Sequence, residues 1–300
     1  MRNYDETKNV DKNKISQWHR ERIEIFEDTM RQCHENPELI KEIEKSISGT
    51  EIIPENNFLT KEEIDGKVYY DPIDTYSRVS NCDVVKLTTG DAVYAFFDKY
   101  SNNKVAVLNF ASATNPGGGV KRGSSAQEEC LCRQSTLYPA IAQEKCMKKF
   151  YNENRSESIL KKNTYYSTRM IWTPDVVFFK EDNGEFAKEA KFGINVITAA
   201  APNLRILSRS LNADYFYYLI LNRIRSVIRL AKEKDQKILI LGAFGCGAFR
   251  NPPEIVANAF AQAIDEIGDD ETHYIFAIRA KNEKETTNYK IFKRILESEE

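Results

Sequence analysis

Two adjacent carboxylates, Glu128 and Glu129, stand beyond three consecutive glycines, Gly117 to Gly119, with the seven residues VKRGSSA and then Gln127 between them. Side-by-side acids suit proton transfer when their surroundings push one of them toward the neutral form. A helix N-terminus at this point would favour the ionised form. An anionic substrate held nearby would act the other way, raising one carboxyl until it could donate a proton. The glycines carry no side chain to hold a ligand off, so their amides can close on a polyoxygen group while the chain takes φ values denied to other residues. Asn115 to Glu129 is therefore predicted to form an anion cradle leading into a pair of acids. It matches neither of two familiar phosphate motifs: GGGVKRGSS has no Gly-Lys-Ser/Thr, and GGGVKR lacks the third glycine of the dinucleotide fingerprint.

Other reactive side chains are sparse. His19, His34 and His273 all lie away from the glycine run in sequence, which weakens a triad or a histidine–metal mechanism. Cys130 and Cys132 fall on the predicted helix with no second pair or histidine at ligand spacing, so reduced thiols are expected and a zinc site is not. Carboxylates remain the leading catalysts.

These residues need a scaffold, and the flanking sequence supplies one. VAVLNFA (Val105 to Ala111) has the character of a buried parallel strand, and Leu131, Leu137, Tyr138 and Ile141 continue at helical spacing beyond the acids. The same strand, glycine loop and helix recur at KILILG (Lys237 to Gly242), AFGCGAFRNPP (Ala243 to Pro253) and the periodic run Ile255 to Ile267, with prolines in the first helical turn. Further strands are predicted at Val84 to Thr89, Ile194 to Ala201 and His273 to Ala280, and further helices at Asp91 to Tyr100, Asn212 to Ala231 and Glu283 to Leu296. Such alternation implies an α/β sandwich with a mostly parallel sheet, in which ligands bind beyond the carboxyl ends of the strands. Gly117–Gly119 and Gly245–Gly247 both leave strands at that end. They are expected to flank one cleft, each aiming amides and a helix N-terminus at a diphosphate.

Ahead of this core, Ile15 to Cys33 and Leu39 to Ser48 read as amphipathic helices, followed by irregular sequence up to Asn81. Residues 1–80 are taken as an N-terminal helical extension or lid support, with 1–14 frayed, and residues 81–300 as the main domain. Tyr151 to Gly193 reads as a polar insertion carrying a strand or hairpin at VVFF, Val176 to Phe179. With 41% hydrophobic and 29% charged residues the chain is an ordinary globular one, and no apolar run reaches membrane-span length. The N-terminal MRNYDETKNVDKNK has no apolar h-region, so a cytoplasmic location, or a nuclear one, is expected, as is a monomer. A net charge of −2 argues against holding nucleic acid through a broad basic face. Any anion must be caught locally.

NFASATNPGGG, seven residues and then QEE together resemble the signature of the microbial-type poly(ADP-ribose) glycohydrolases. STLYP (Ser135 to Pro139), PDVVFF (Pro174 to Phe179), ITAAAPN (Ile197 to Asn203), LGAFGCGAFRN (Leu241 to Asn251) and FAIR (Phe276 to Arg279) fall in the family's order, and WHRERIEIFEDTM resembles its N-terminal helix. The resemblance covers most of the chain. It implies a macrodomain-like three-layer α/β/α sandwich with a mixed, mostly parallel sheet, and hydrolysis of ribose–ribose bonds in poly(ADP-ribose) to release ADP-ribose, with no metal or cofactor. Carried over by residue, it makes Glu129 the catalytic acid and Glu128 its partner on the ribose hydroxyls. Asn115 would hold the distal ribose with Gly117, Gly118 and Gly119 pressed against it, and Gln127 would help position the ligand. Gly245, Cys246, Gly247, Ala248 and Phe249 would wrap the diphosphate, with Phe249 near the distal ribose. Ala199 to Asn203 would lie toward the adenine. Pro252 departs from the pattern by standing where an acidic residue is expected, which implies a stiffer loop end. Alternatives for the same cleft are a mono-ADP-ribosyl hydrolase acting on modified protein or nucleic acid, and a reader that binds ADP-ribose without chemistry. Two acids with no other use would hinder anion binding, which speaks against the reader.

Overall fold

The computed structural model describes residues 16–66, 79–99, 104–206 and 212–297; the frayed N-terminus expected over 1–14 lies outside them. Seven strands, β1 (Glu51–Ile53), β2 (Cys82–Val85), β3 (Val105–Phe110), β4 (Met170–Lys180), β5 (Phe186–Ala199), β6 (Ile238–Leu241) and β7 (His273–Ala277), form one sheet in the order β1-β4-β5-β3-β6-β7-β2. β5, β3, β6, β7 and β2 are parallel, β4 pairs antiparallel with β5, and β1 antiparallel with β4. The sheet is thus mixed and mostly parallel. β3 lies at its centre, with Ala106 and Leu108 in one hydrophobic layer and Val105 and Val107 in the other. Burial on both faces explains why this strand is written as an unbroken apolar run.

On one face, Phe26 of α1 (Gln17–Glu35) packs on the sheet. With it are Ala92 and Val93 of α4 (Thr89–Phe96), Leu131 of α5 (Gln127–Gln134), and Leu137 and Ile141 of α6 (Leu137–Ile141). α2 (Pro37–Gly49) lays Leu39 and Ile43 on Val177 and Phe179 of β4. α3 (Lys61–Asp65) is tied elsewhere, through a Glu63–Arg229 ion pair of 2.6 Å. α7 (Glu144–Cys146) passes through a wide π turn, Met147–Tyr151, into α8 (Asn152–Lys161). The opposite face is covered by α9 (Ala213–Glu233), α10 (Pro253–Ile267) and α11 (Glu283–Leu296), which share one apolar layer through Ile224, Phe260 and Phe292. The result is the three-layer sandwich.

Three differences from the sequence reading have identifiable causes. The helix expected beyond the acids is two helices, because Thr136 turns out to the sheet, its amide donating to Val177 O at 3.0 Å and its hydroxyl accepting from Val177 N at 2.9 Å. The region 151–193 is no insertion: β4 and β5 are long inner strands of the sheet. Register shifts after Thr173, around Pro174 and Asp175, break the alternation that would have announced them. Likewise β1, within the N-terminal extension, adds an edge strand to the same sheet, so the sheet extends across the boundary drawn near residue 80.

α1 is fastened to the core by charge as well as by Phe26. Lys180, wholly buried at the end of β4, forms an ion pair with Asp28, whose carboxyl this contact holds below its ordinary range. A buried ammonium stripped of its partner is costly. Asp28→Ala should therefore lower unfolding free energy by about 3 kcal/mol, and adding Lys180→Met should recover much of it, both read by urea denaturation.

Candidate active site

Both glycine loops open on one cleft of about 440 Å³, beyond the carboxyl ends of β3 and β6. Gly118, Gln127, Glu128 and Glu129 line it from the first loop and its helix, and Gly245, Gly247, Ala248 and Phe249 from the second. Phe110 and Phe244, ring centroids 5.5 Å apart, add apolar wall where the two strands end. Ala201 is the part of Ala199–Asn203 that reaches the lining, whereas Asn203 is buried and its amide donates to Thr164 O at 2.8 Å.

The two acids have different surroundings. Glu128 is buried, and its Oε2 accepts from Ser112 N at 2.7 Å while its Oε1 accepts from Gly117 N at 3.2 Å and Asn109 Nδ2 at 3.5 Å. Burial pushes its pKa up to about 8, against the lowering effect of Ser112, with the charge of Glu129 adding to the rise. Glu129 accepts from Gly119 N at 2.8 Å through Oε1, while its Oε2 is buried with no hydrogen-bond partner among the described residues. Helical geometry separates neighbours by about 100°, so the two carboxylates meet different backbone amides although both come up to Gly118.

The first glycine loop therefore does a different job from the one read in its sequence. Its amides are spent on the protein itself: Gly117 N on Glu128, Gly118 N on Asn115 O and Gly119 N on Glu129. It cradles the acids, not a diphosphate. Gly118 has φ +56°, and a Cβ there would lie 2.6 Å from Glu129 Oε1 and 3.1 Å from Glu128 Oε2, so only glycine leaves both carboxylates in place. Gly117 and Gly119 stand behind the cleft surface, outside its lining. Asn115 is also outside it, exposed, with Nδ2 donating to Thr114 Oγ1 at 3.1 Å.

Gln127, in the cleft lining, also acts on the fold. Pairing of β3 with β6 ends at Val107 and Ile240, and beyond that point the Gln127 carboxamide makes the hydrogen bonds of a strand. Its Oε1 accepts from Phe110 N at 2.8 Å and its Nε2 donates to Leu108 O at 2.8 Å and to Thr89 Oγ1 at 3.2 Å. This locks the first turn of α5, and with it both acids, to the end of β3.

The second loop is built to receive. Among the described residues, the amides of Gly247, Ala248 and Phe249 have no acceptor within the protein, and a Cβ on Gly247 would meet nothing within 4 Å. Gly245 takes φ +75°, where a Cβ would sit 2.2 Å from Asn251 Nδ2. Cys246 does not reach the cleft: it is buried, its Sγ donating to Phe244 O at 3.7 Å. Phe249 is backed by Tyr166, ring centroids 6.4 Å apart. Pro252 and Pro253 start α10, where a missing amide costs nothing.

Residues that drew no role from the sequence also reach the cleft. Thr89, Gly90, Gln134, Asp182, Arg279 and Glu285 line its remainder, with Arg279 Nε donating to Glu285 Oε1 at 3.0 Å. Asp182 comes from the β4–β5 turn, which the sequence reading sets within an insertion and not at the cleft. Ser112, whose amide holds Glu128, offered no side-chain signal at all.

Gln127→Ala would strand Leu108 O and Phe110 N. A loss of about 2 kcal/mol in unfolding free energy is expected, measured by chemical denaturation with an unchanged m value.

Comparison with known proteins agrees with this geometry. Residues 12–181 match the family described as microbial-type PARG, catalytic domain. No curated protein matches the chain. Among solved structures, poly(ADP-ribose) glycohydrolase from Thermomonospora curvata superposes with a TM-score of 0.76 at 24% identity, over 92% of this chain and 100% of that one, a likeness of fold. A mutant of the Deinococcus radiodurans poly(ADP-ribose) glycohydrolase, in complex with ADP-ribose, superposes with a TM-score of 0.70 at 30% identity, over 85% of this chain and 97% of that one. The paired buried acids, the two loops on one cleft and the matched span together place this chain in the microbial-type poly(ADP-ribose) glycohydrolase family.

Proposed function

We propose that the protein hydrolyses ribose–ribose O-glycosidic bonds of poly(ADP-ribose), releasing ADP-ribose, with Glu129 as general acid and base. The observation that carries the assignment of roles is the unpartnered Oε2 of Glu129. Each oxygen of Glu128 already accepts from a backbone amide, which leaves it a spare lone pair for a ribose hydroxyl and no wholly free oxygen, while Glu129 keeps one oxygen for the reacting bond. Burial first, and then the neighbouring charge of Glu129, push the Glu128 carboxyl up to about 8, so the site keeps a proton near neutrality.

In the reaction, the free amides of Gly247, Ala248 and Phe249 take the diphosphate, and Phe249 packs by the distal ribose. Glu129 passes its proton to the departing 2′ oxygen as the C1″–O bond breaks and positive charge develops on the ribose ring. The substrate's own diphosphate, folded close, stabilises that charge. Water then adds to C1″ and gives its proton back to Glu129, restoring the starting state. Glu128 accepts from a ribose hydroxyl and keeps Gly117 in place.

Glu129→Gln preserves the shape of the side chain and removes the transferable proton. Release of ADP-ribose from poly(ADP-ribose) should fall by about 10²–10⁴-fold while ADP-ribose still binds. Unchanged turnover would overturn the assignment, and unchanged binding with no turnover in the wild type would favour a reader. The pH profile is a separate check: kcat/KM should be sustained below pH 8 and decline above it, as Glu128 loses the proton that burial holds there.

A further inference from the structure

A polymer-cleaving site must deal with the part of the chain that departs, and the surface beyond Glu129 has the composition for it. Gly119, whose amide holds Glu129 Oε1 at 2.8 Å, also accepts from Arg122 N at 2.9 Å and Ser124 N at 3.2 Å. The turn Val120–Arg122 therefore begins directly beside the acid. Val120 is buried and anchors it, leaving Lys121 and Arg122 exposed at its tip. From Ser112 to Ala126 the sequence holds no acidic residue. α1 lies against the same turn: Arg22 Nη1 donates to Gly123 O at 3.2 Å, and a Cβ on Gly123 would come within 2.4 Å of His19 O. One helical turn before Arg22 stands Trp18, a residue left 69% exposed. Glu21, between them in sequence, is occupied by Gln17 Nε2 at 2.9 Å.

An exposed lysine or arginine alone is ordinary, but a tryptophan as exposed as Trp18 contributes little to folding. An exposed aromatic one helical turn from Arg22, on a helix packed against a turn that carries Lys121 and Arg122, has the make-up of surfaces that hold single-stranded phosphate polymers, the ring stacking on a base and the cations meeting phosphates; the Lys121 ammonium lies 5.5 Å from the Tyr138 ring centroid. Resting on the functional reading above, we infer that Trp18, Arg22, Lys121 and Arg122 form a subsite for the leaving side of the substrate, taking the adenine and diphosphate of the ADP-ribose unit joined to the one being released. With a chain of net charge −2, such a local patch is what lets a polyanion approach the acid pair.

The test uses Glu129→Gln protein, so that binding is read without turnover, and compares it with the same protein also carrying Trp18→Ala, Lys121→Glu and Arg122→Glu. Affinities for free ADP-ribose and for size-selected poly(ADP-ribose) oligomers are measured at low and moderate salt. The added substitutions should weaken oligomer binding by about tenfold or more and flatten its salt dependence, with ADP-ribose affinity kept within about twofold as evidence of an intact fold and cleft. Oligomer affinity that survives the substitutions, or a parallel loss for both ligands, would overturn the inference. Failure of ADP-ribose to bind the parent at all would overturn the functional reading, and the subsite with it.

Discussion

Two carboxylates held side by side out of water need hydrogen-bond donors, and much of the local structure follows from where those donors are found. Here they are backbone amides: Ser112 and Gly117 for Glu128, and Gly119 for Glu129. Amides cannot be brought so near two side chains unless the loop that carries them is stripped of its own, which accounts for the glycine triplet. The helix bearing the acids must in turn be set at one height relative to β3. Gln127 does this by impersonating a strand over the last residues of β3, just where β6 turns aside to begin the second loop.

The two glycine loops thus divide the work between them. One faces inward and fixes the acid pair; the other keeps its amides open to a ligand. Their functions differ although their sequences look alike, because the first is followed by acceptors of its own chain and the second by Phe249, Asn251 and prolines. The departure from the family pattern at Pro252 falls at the start of α10, behind the amides that line the cleft.

Much of this was written in the sequence. Apolar runs such as VAVLNFA and KILILG specify buried strands by composition alone, and the glycine loops announce themselves at the strand ends. Other features required three dimensions. Strands were legible at Val176 to Phe179 and Ile194 to Ala201, but the full length of β4 and β5 and their place inside the sheet were not, because bulges around Pro174 and Asp175 disrupt the period and a strand covered on both faces need not alternate. The role of Gln127 depends on where β6 stops pairing, a property of a segment more than a hundred residues away. That the amides of the first loop were already engaged could not be read from glycine content, which reports only that backbone can come close, never to what. Asn115 and Cys246 belong to matched motifs, yet exposure of one and burial of the other keep both from the cleft wall.

The contact between Gly118 and the acids carries an evolutionary corollary. With room for a hydrogen and nothing larger between that backbone and Glu129 Oε1, the two positions are not free to drift independently. A lineage that lost catalysis and relaxed Glu129 to a small residue would remove the nearer obstacle only, since Glu128 Oε2 at 3.1 Å and the φ of +56° would still hold position 118 to glycine and keep the way back open.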